Sequence, residues 1–230
     1  MLSVAHWISF SNPPLTAENE VQVLVNNLYL ISVLINLDQI DMKKILLTLC
    51  AVLLTASLQA QEHMTFKGVS MERNVKSFVS QLKSKGLSIE YQQEEGTILT
   101  GEFAGRSECT IVVIPTKGNK KVWKVVALFP QKTSWYSLEQ EYYTLKESYS
   151  EKYGNPESFE FFIEPYEEGD GNEMAAIAED KCKYASFYTT PEGTIVLEIC
   201  ADQCAQVTYE DAINKAIHAK EKEASVSEDI

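Results

Sequence analysis

The sequence predicts an α+β fold, two tandem helix-plus-antiparallel-sheet units packed around a shared core. Two observations carry the prediction. Apolar residues recur at helical spacing twice, at Val75, Phe78, Val79 and Leu82 and again at Leu138, Tyr142, Leu145 and Tyr149. After each stripe come short alternating runs separated by turns of a few residues, too short for the crossovers that parallel strands need. Each helix stripe requires a sheet to cover it, and each meander has one face that requires a helix. The expected boundaries are 62–132 for the first unit, 133–212 for the second and 213–230 for a C-terminal helix and polar tail.

In chain order, Met64–Lys67 reads as a short strand and 68–73 as a turn. Asn74 is placed to cap the first helix, and Gly86, following Lys83 and Lys85, suits a left-handed C-terminal residue. Leu87, Ile89 and Tyr91 alternate, and Glu94-Glu95-Gly96 turns into Thr97–Phe103, where Gly101 marks a bulge. Cys109–Ile114 and Val122–Phe129 complete the meander, joined by Lys117-Gly118-Asn119-Lys120. Ser137 with Gln140 reads as a capping box for the second helix, and Gly154-Asn155-Pro156 stops it. Phe159–Ile163 is a strand. An acidic insert, 164–172, and a short helical piece at 173–180 precede three strands, Cys182–Thr189, Thr194–Cys200 and Cys204–Glu210. A last helix begins at Ala212.

Met42-Lys43-Lys44 followed by Ile45–Ala56 has the form of a secretory leader, 42–60, with cleavage after Ala60. The apolar run is too short for a comfortable membrane span, so the mature form is expected to carry none and to be exported, periplasmic or extracellular. Residues 1–41 hold no Lys or Arg, and an acidic extension ahead of a leader is best read as an over-long gene start. The rival, a membrane hairpin through Val23–Leu37, is disfavoured by Asn26, Asn27, Asn36 and the lack of basic flanks. Leu47-Thr48-Leu49 before Cys50 lacks the small residue of a lipoprotein signal.

Charge removes one class of partner. The chain holds 33 acids against 20 Lys and Arg, and residues 61–230 alone stand at −11. Such a surface repels phosphate backbones, so no nucleic acid is expected as a partner.

Four cysteines follow the leader. If Phe187, Ile195, Leu197, Val207 and Tyr209 face the core, alternation puts Cys182, Cys200 and Cys204 together on the other face. A hairpin about Pro191-Glu192 then brings Cys182 opposite Cys200, and the next turn brings Cys200 opposite Cys204. At least one disulfide is expected, with Cys182–Cys200 preferred, and export favours its formation. Cys109, on another strand, is a buried thiol or the remaining cysteine's partner.

The runs Phe66–Met71, Phe78–Gly86, Gly101–Gly105, Glu151–Pro156 and Cys182-Lys183-Tyr184 resemble small exported proteins of the Bacteroides group. These motifs are structural and imply no activity. More remotely, a helix followed by an antiparallel sheet, repeated in tandem, resembles the architecture of β-lactamase-inhibitor-like modules, from which function does not transfer.

Catalytic signatures are sparse. His63 and His218 are the histidines beyond the leader, and neither has a nucleophile or a metal-ligand spacing beside it. There is no Gly-x-Ser-x-Gly elbow, no His-Glu-x-x-His and no Gly-rich phosphate loop. Glu168, Asp170, Asn172 and Glu179 imitate a calcium loop, but its sixth position is Glu173 instead of Gly. No metal or cofactor is expected. Trp135 and Tyr136, read as a loop before the second helix, are the candidate binding residues. The expected function is a non-catalytic binding or interaction module for a protein or glycan. The alternative is a carboxylate-based hydrolase acting on an envelope glycan, which needs two close acids in a cleft.

Overall fold

Asn74 opens the first long helix as expected: its Oδ1 accepts from the Lys76 N–H at 2.9 Å, starting α1 (Val75–Ser84). The computed structural model describes residues 25, 28, 29 and 62–228. Val25, Leu28 and Tyr29 are helical and exposed, and the expected leader, 42–60, and residues 1–41 before it otherwise lie outside the described residues. Ahead of α1, β1 (Thr65–Phe66) and β2 (Val69–Ser70) form a tight hairpin about Lys67 and Gly68, both at positive φ. Phe78, Val79 and Leu82 are buried, and Gly86 follows the helix at φ +91°.

Four strands follow: β3 (Ser88–Gln92), β4 (Thr97–Phe103), β5 (Arg106–Pro115) and β6 (Val122–Leu128). Then come α2 (Trp135–Tyr153), β7 (Glu157–Phe162), α3 (Glu173–Ala178), β8 (Cys182–Thr190), β9 (Gly193–Cys200), β10 (Cys204–Asp211) and α4 (Ala212–Glu228). Strands β3 to β10 make one antiparallel sheet in the order β3-β4-β5-β6-β10-β9-β8-β7. The fold is therefore α+β, and β6 and β10 meet in the middle of the sheet with Val125 opposite Tyr209 and Ala127 opposite Val207. No described helix is long and apolar enough to cross a membrane.

One sheet face is the core. Leu99, Ile111, Val113, Val125, Val207 and Leu197 are buried on it, continuous with Phe78 and Leu82 of α1 and Leu138, Tyr142 and Leu145 of α2. Several polar groups buried there are paired. Tyr142 Oη lies 2.7 Å from Ser186 Oγ and donates to Glu160 at 3.1 Å, while Glu160 also pairs with Lys146. Tyr149 and Tyr209 bond through their hydroxyls, and burial pushes both phenols above their ordinary pKa. α4 leaves β10 and reaches the β5–β6 turn, where Glu221 accepts from the Lys117 and Gly118 N–H groups.

The sequence expectations are corrected at three places. Ser134, not Ser137, caps α2: its Oγ accepts from the Ser137 N–H at 3.4 Å. The helix consequently includes Trp135 and Tyr136, and Trp135 continues the buried stripe backwards, three residues before Leu138. In β3, a register shift between Ile89 and Tyr91 breaks the alternation and leaves both side chains exposed. The third correction concerns Cys182 and Phe187. Pro191-Glu192 is a two-residue turn that sets Thr190 opposite Gly193, so β8 and β9 pair odd numbers with even. Cys182, Tyr184 and Tyr188 face the helices, and Phe187 faces the other way.

Candidate functional site

The sheet's second face carries an apolar row in cross-strand register. Ile98 stands opposite Val112, Val112 opposite Val126, Val126 opposite Thr208, Thr208 opposite Val196 and Val196 opposite Phe187. At the β7 end this row opens into a groove of about 320 Å³. Phe159 and Phe161 of β7, Lys183, Ala185 and Phe187 of β8, and Glu198 of β9 line it. Phe159, Phe161 and Phe187 are 46%, 49% and 36% exposed, and Phe159 meets Phe187 edge-to-face at 6.0 Å. Three exposed phenylalanines in one place are a larger apolar patch than scattered surface residues produce.

The groove's charges are already engaged. Lys183 pairs with Asp180 at 2.7 Å, and Glu198 accepts from Gln206 at 2.7 Å. What remains open is backbone. β7 is an edge strand that pairs with β8 over six residues without a register shift, and no described backbone group bonds to its outer side. The opposite edge, β3, is interrupted by its bulge, a device that discourages further pairing.

Of the sequence candidates, Trp135 is half-buried against Phe162 and Tyr184, with ring centroids 5.2 and 5.0 Å away. It is partly buried and packs against the core. Tyr136, one residue on, is 72% exposed and is not among the groove's lining residues. The aromatic signal lay instead in Phe159-Glu160-Phe161 and Phe187, where alternation alone does not say which face is covered.

The cysteines do not assemble as preferred. Cys182 is buried on the helix side, its thiol pushed up to about 12 by burial, and cannot meet Cys200 on the other face. Cys109 is a buried thiol donating to the Arg106 carbonyl at 3.4 Å, and burial raises its pKa. Cys200 and Cys204 do stand opposite one another, with their sulfurs 3.1 Å apart and unbonded.

The acidic insert is a self-capped loop. Asp170 accepts from the Asn172 N–H at 2.6 Å and the Glu167 N–H at 3.1 Å, and these bonds hold its pKa down. Among the described residues no group of His, Cys, Asp or Glu converges as a metal site. Partial burial, then the adjacent Glu168 carboxylate, raises the pKa of Glu139. Glu168 is exposed, and neither acid lines the groove. Comparison with protein-family models, with curated proteins and with solved structures returns no match for the chain.

Proposed function

We propose that this chain is an exported interaction module that takes an extended segment of a partner protein along β7. The observation that carries the reading is an unbulged edge strand whose outer side meets no described backbone group, with two exposed phenylalanines on it, bordering an apolar groove. A partner strand added there supplies the missing backbone bonds and places alternate side chains against Phe159, Phe161 and Phe187. Affinity comes from the main chain and register from the aromatic pockets.

Two arguments narrow the partner. Sugar recognition needs polar groups beside the aromatic faces, and the nearby charges of Lys183 and Glu198 are engaged within the fold, which favours a peptide over a glycan. The net charge of −11 beyond residue 60 disfavours a second copy and favours a neutral or basic segment. The strand order also supports two tandem units, 62–132 and 133–212, since four sheet strands follow each of α1 and α2 and the two sets meet at β6 and β10.

The test is selection of displayed random peptides on the immobilised full chain. Enriched sequences should alternate apolar residues, and binding should fall at least about tenfold in Phe161→Glu, roughly 1.4 kcal/mol, with the circular dichroism spectrum unchanged. Tyr136→Ala should leave binding intact. Enriched peptides that bind the Phe159→Glu/Phe161→Glu double variant as well as the parent chain would overturn the proposal.

A further inference from the structure

A second site lies at the end of β9, directly after Glu198 and Ile199 of the groove wall. The turn Ala201–Gln203 returns the chain so that Cys204 stands directly opposite Cys200. Gln203 takes a left-handed conformation at φ +60°, and its N–H donates to the Cys200 carbonyl at 3.0 Å. From the neighbouring segment, Lys132 N–H donates to the Gln203 carbonyl at 2.9 Å and Phe129 N–H to the Ala205 carbonyl at 3.0 Å. The turn is thus braced on both sides, and the two sulfurs are held 3.1 Å apart. Directly opposed cross-strand positions lie within the Cα separation that a disulfide spans, so oxidation needs only a short approach of the sulfurs.

We propose that Cys200 and Cys204 form a reversible dithiol–disulfide site, with Cys200 the entry thiol for exchange with a small-molecule disulfide and Cys204 the resolving thiol. The division of labour follows from access. Cys200 is partly exposed, whereas Cys204 is 2% exposed and is reached through Cys200. Hydrogen bonding supports it: the two sulfurs share a hydrogen bond, and with Cys204 as its donor the bond lowers the pKa of Cys200, against the opposing effects of burial and the Asp202 carboxylate. The same bond, with burial and the negative charges of Cys200, Asp202 and Glu141, raises that of Cys204. Cys109 and Cys182 are buried thiols with raised pKa values and do not compete.

The exchange balances in two steps. Cys200 gives its proton to water, and the resulting thiolate attacks one sulfur of a disulfide RS–SR; that S–S bond breaks, and RS⁻ leaves with Cys200 held as the mixed disulfide. Cys204 then gives its proton to the departed RS⁻ and attacks the Cys200 sulfur, releasing the second RS⁻, which takes a proton from water. The protein loses two electrons and two protons, and the small disulfide becomes two thiols.

The full chain, reduced, freed of reductant and then exposed to oxidised glutathione, provides the test. Cys200 and Cys204 share the tryptic peptide 184–215, which contains neither Cys182 nor Cys109. That peptide should lose the mass of two hydrogens and regain it on reduction. Cys204→Ser should accumulate one glutathione on Cys200, and Cys200→Ser should release thiol at least about tenfold more slowly than the parent chain. Circular dichroism of both variants separates altered chemistry from altered folding. Parent chain and Cys200→Ser reacting at equal rates, or oxidation linking Cys182 or Cys109 instead, would overturn the assignment.

Discussion

Asp211 is the buried carboxylate on which both ends of the described domain converge. It caps α4 by accepting from the Asn214 N–H at 2.8 Å, accepts from the Met64 N–H at 2.8 Å, and lies 3.1 Å from His63 Nδ1. Asn214 extends the junction by donating to the Met71 and Val122 carbonyls, each at 2.9 Å. Asp211→Ala removes a helix cap and orphans a buried backbone donor, which together cost about 2–4 kcal/mol. The midpoint of urea unfolding should fall accordingly, while Asp211→Asn, which keeps an acceptor, should lose less. Glu210, next to it, gives a pH dependence. Burial raises its pKa, but Lys215 and Lys124 outweigh burial and leave it below the ordinary glutamate value. Its ionised form is therefore favoured in the folded state. Its contribution is present above the unfolded-state pKa and is lost as pH falls through the lower folded value. Lys215 is exposed, so the contribution is below about 1 kcal/mol. Glu210→Gln should flatten the acid limb of the stability–pH curve by that amount, and an unchanged limb would contradict the assignment.

At the scale of elements, the β9–β10 pairing and the docking of α2 each turn on one residue. Gly193 opens β9 at φ +155°, and a Cβ there would overlap the Glu210 carbonyl oxygen of β10. The obstruction is backbone in a paired strand and cannot rotate away. Gly193→Ala should cost at least about 3 kcal/mol, read as a lowered melting temperature or as failure to fold. α2 carries Glu141 into the interior, where Arg106 Nε lies 2.9 Å and Lys132 Nζ 2.8 Å from its carboxylate oxygens. A fully buried pair broken in this way loses roughly 3–5 kcal/mol. Here the two cations are about a third exposed and rehydrate, so Glu141→Ala should cost about 1–2 kcal/mol. A double-mutant cycle with Arg106→Ala measures the pairwise part.

Over the whole molecule, β6–β10 pairing makes one core of both halves of the sheet, and unfolding should be a single transition. Trp123 on β6 and Trp135 on α2 report from the two sides of the chain. Variants retaining either one as sole tryptophan should give coincident urea midpoints, also matching circular dichroism. Two separated midpoints would mean two independently stable units. Phe161 is half-exposed on the sheet face turned away from the core, so Phe161→Glu changes peptide binding without disturbing this transition. Exposed substitutions away from the core usually shift stability by no more than about 0.5 kcal/mol.

Local physics was legible in the sequence because it depends on neighbours along the chain. The stripes of α1 and α2, the Asn74 cap, the stops at Gly86 and Gly154, the Gly101 bulge and the short antiparallel connections are all set within a few residues. They determine an α+β chain rich in antiparallel strands. Facing was not legible where both residues of an alternating pair are apolar. Phe187 and Tyr188 are equally plausible core residues in a period-two pattern, and Pro191-Glu192 decided between them by fixing Thr190 opposite Gly193. That one-residue offset turned Cys182 toward the helices, left Cys204 as the partner of Cys200 and put Phe187 beside Phe159. Trp135 was drawn inward by Phe162 and Tyr184, residues 27 and 49 positions later in the chain. Secondary structure followed from local sequence; the apolar groove and the thiol pair exist only where strands distant in sequence are set in register, because side-chain period two gives a one-residue shift the power to exchange the faces of a strand.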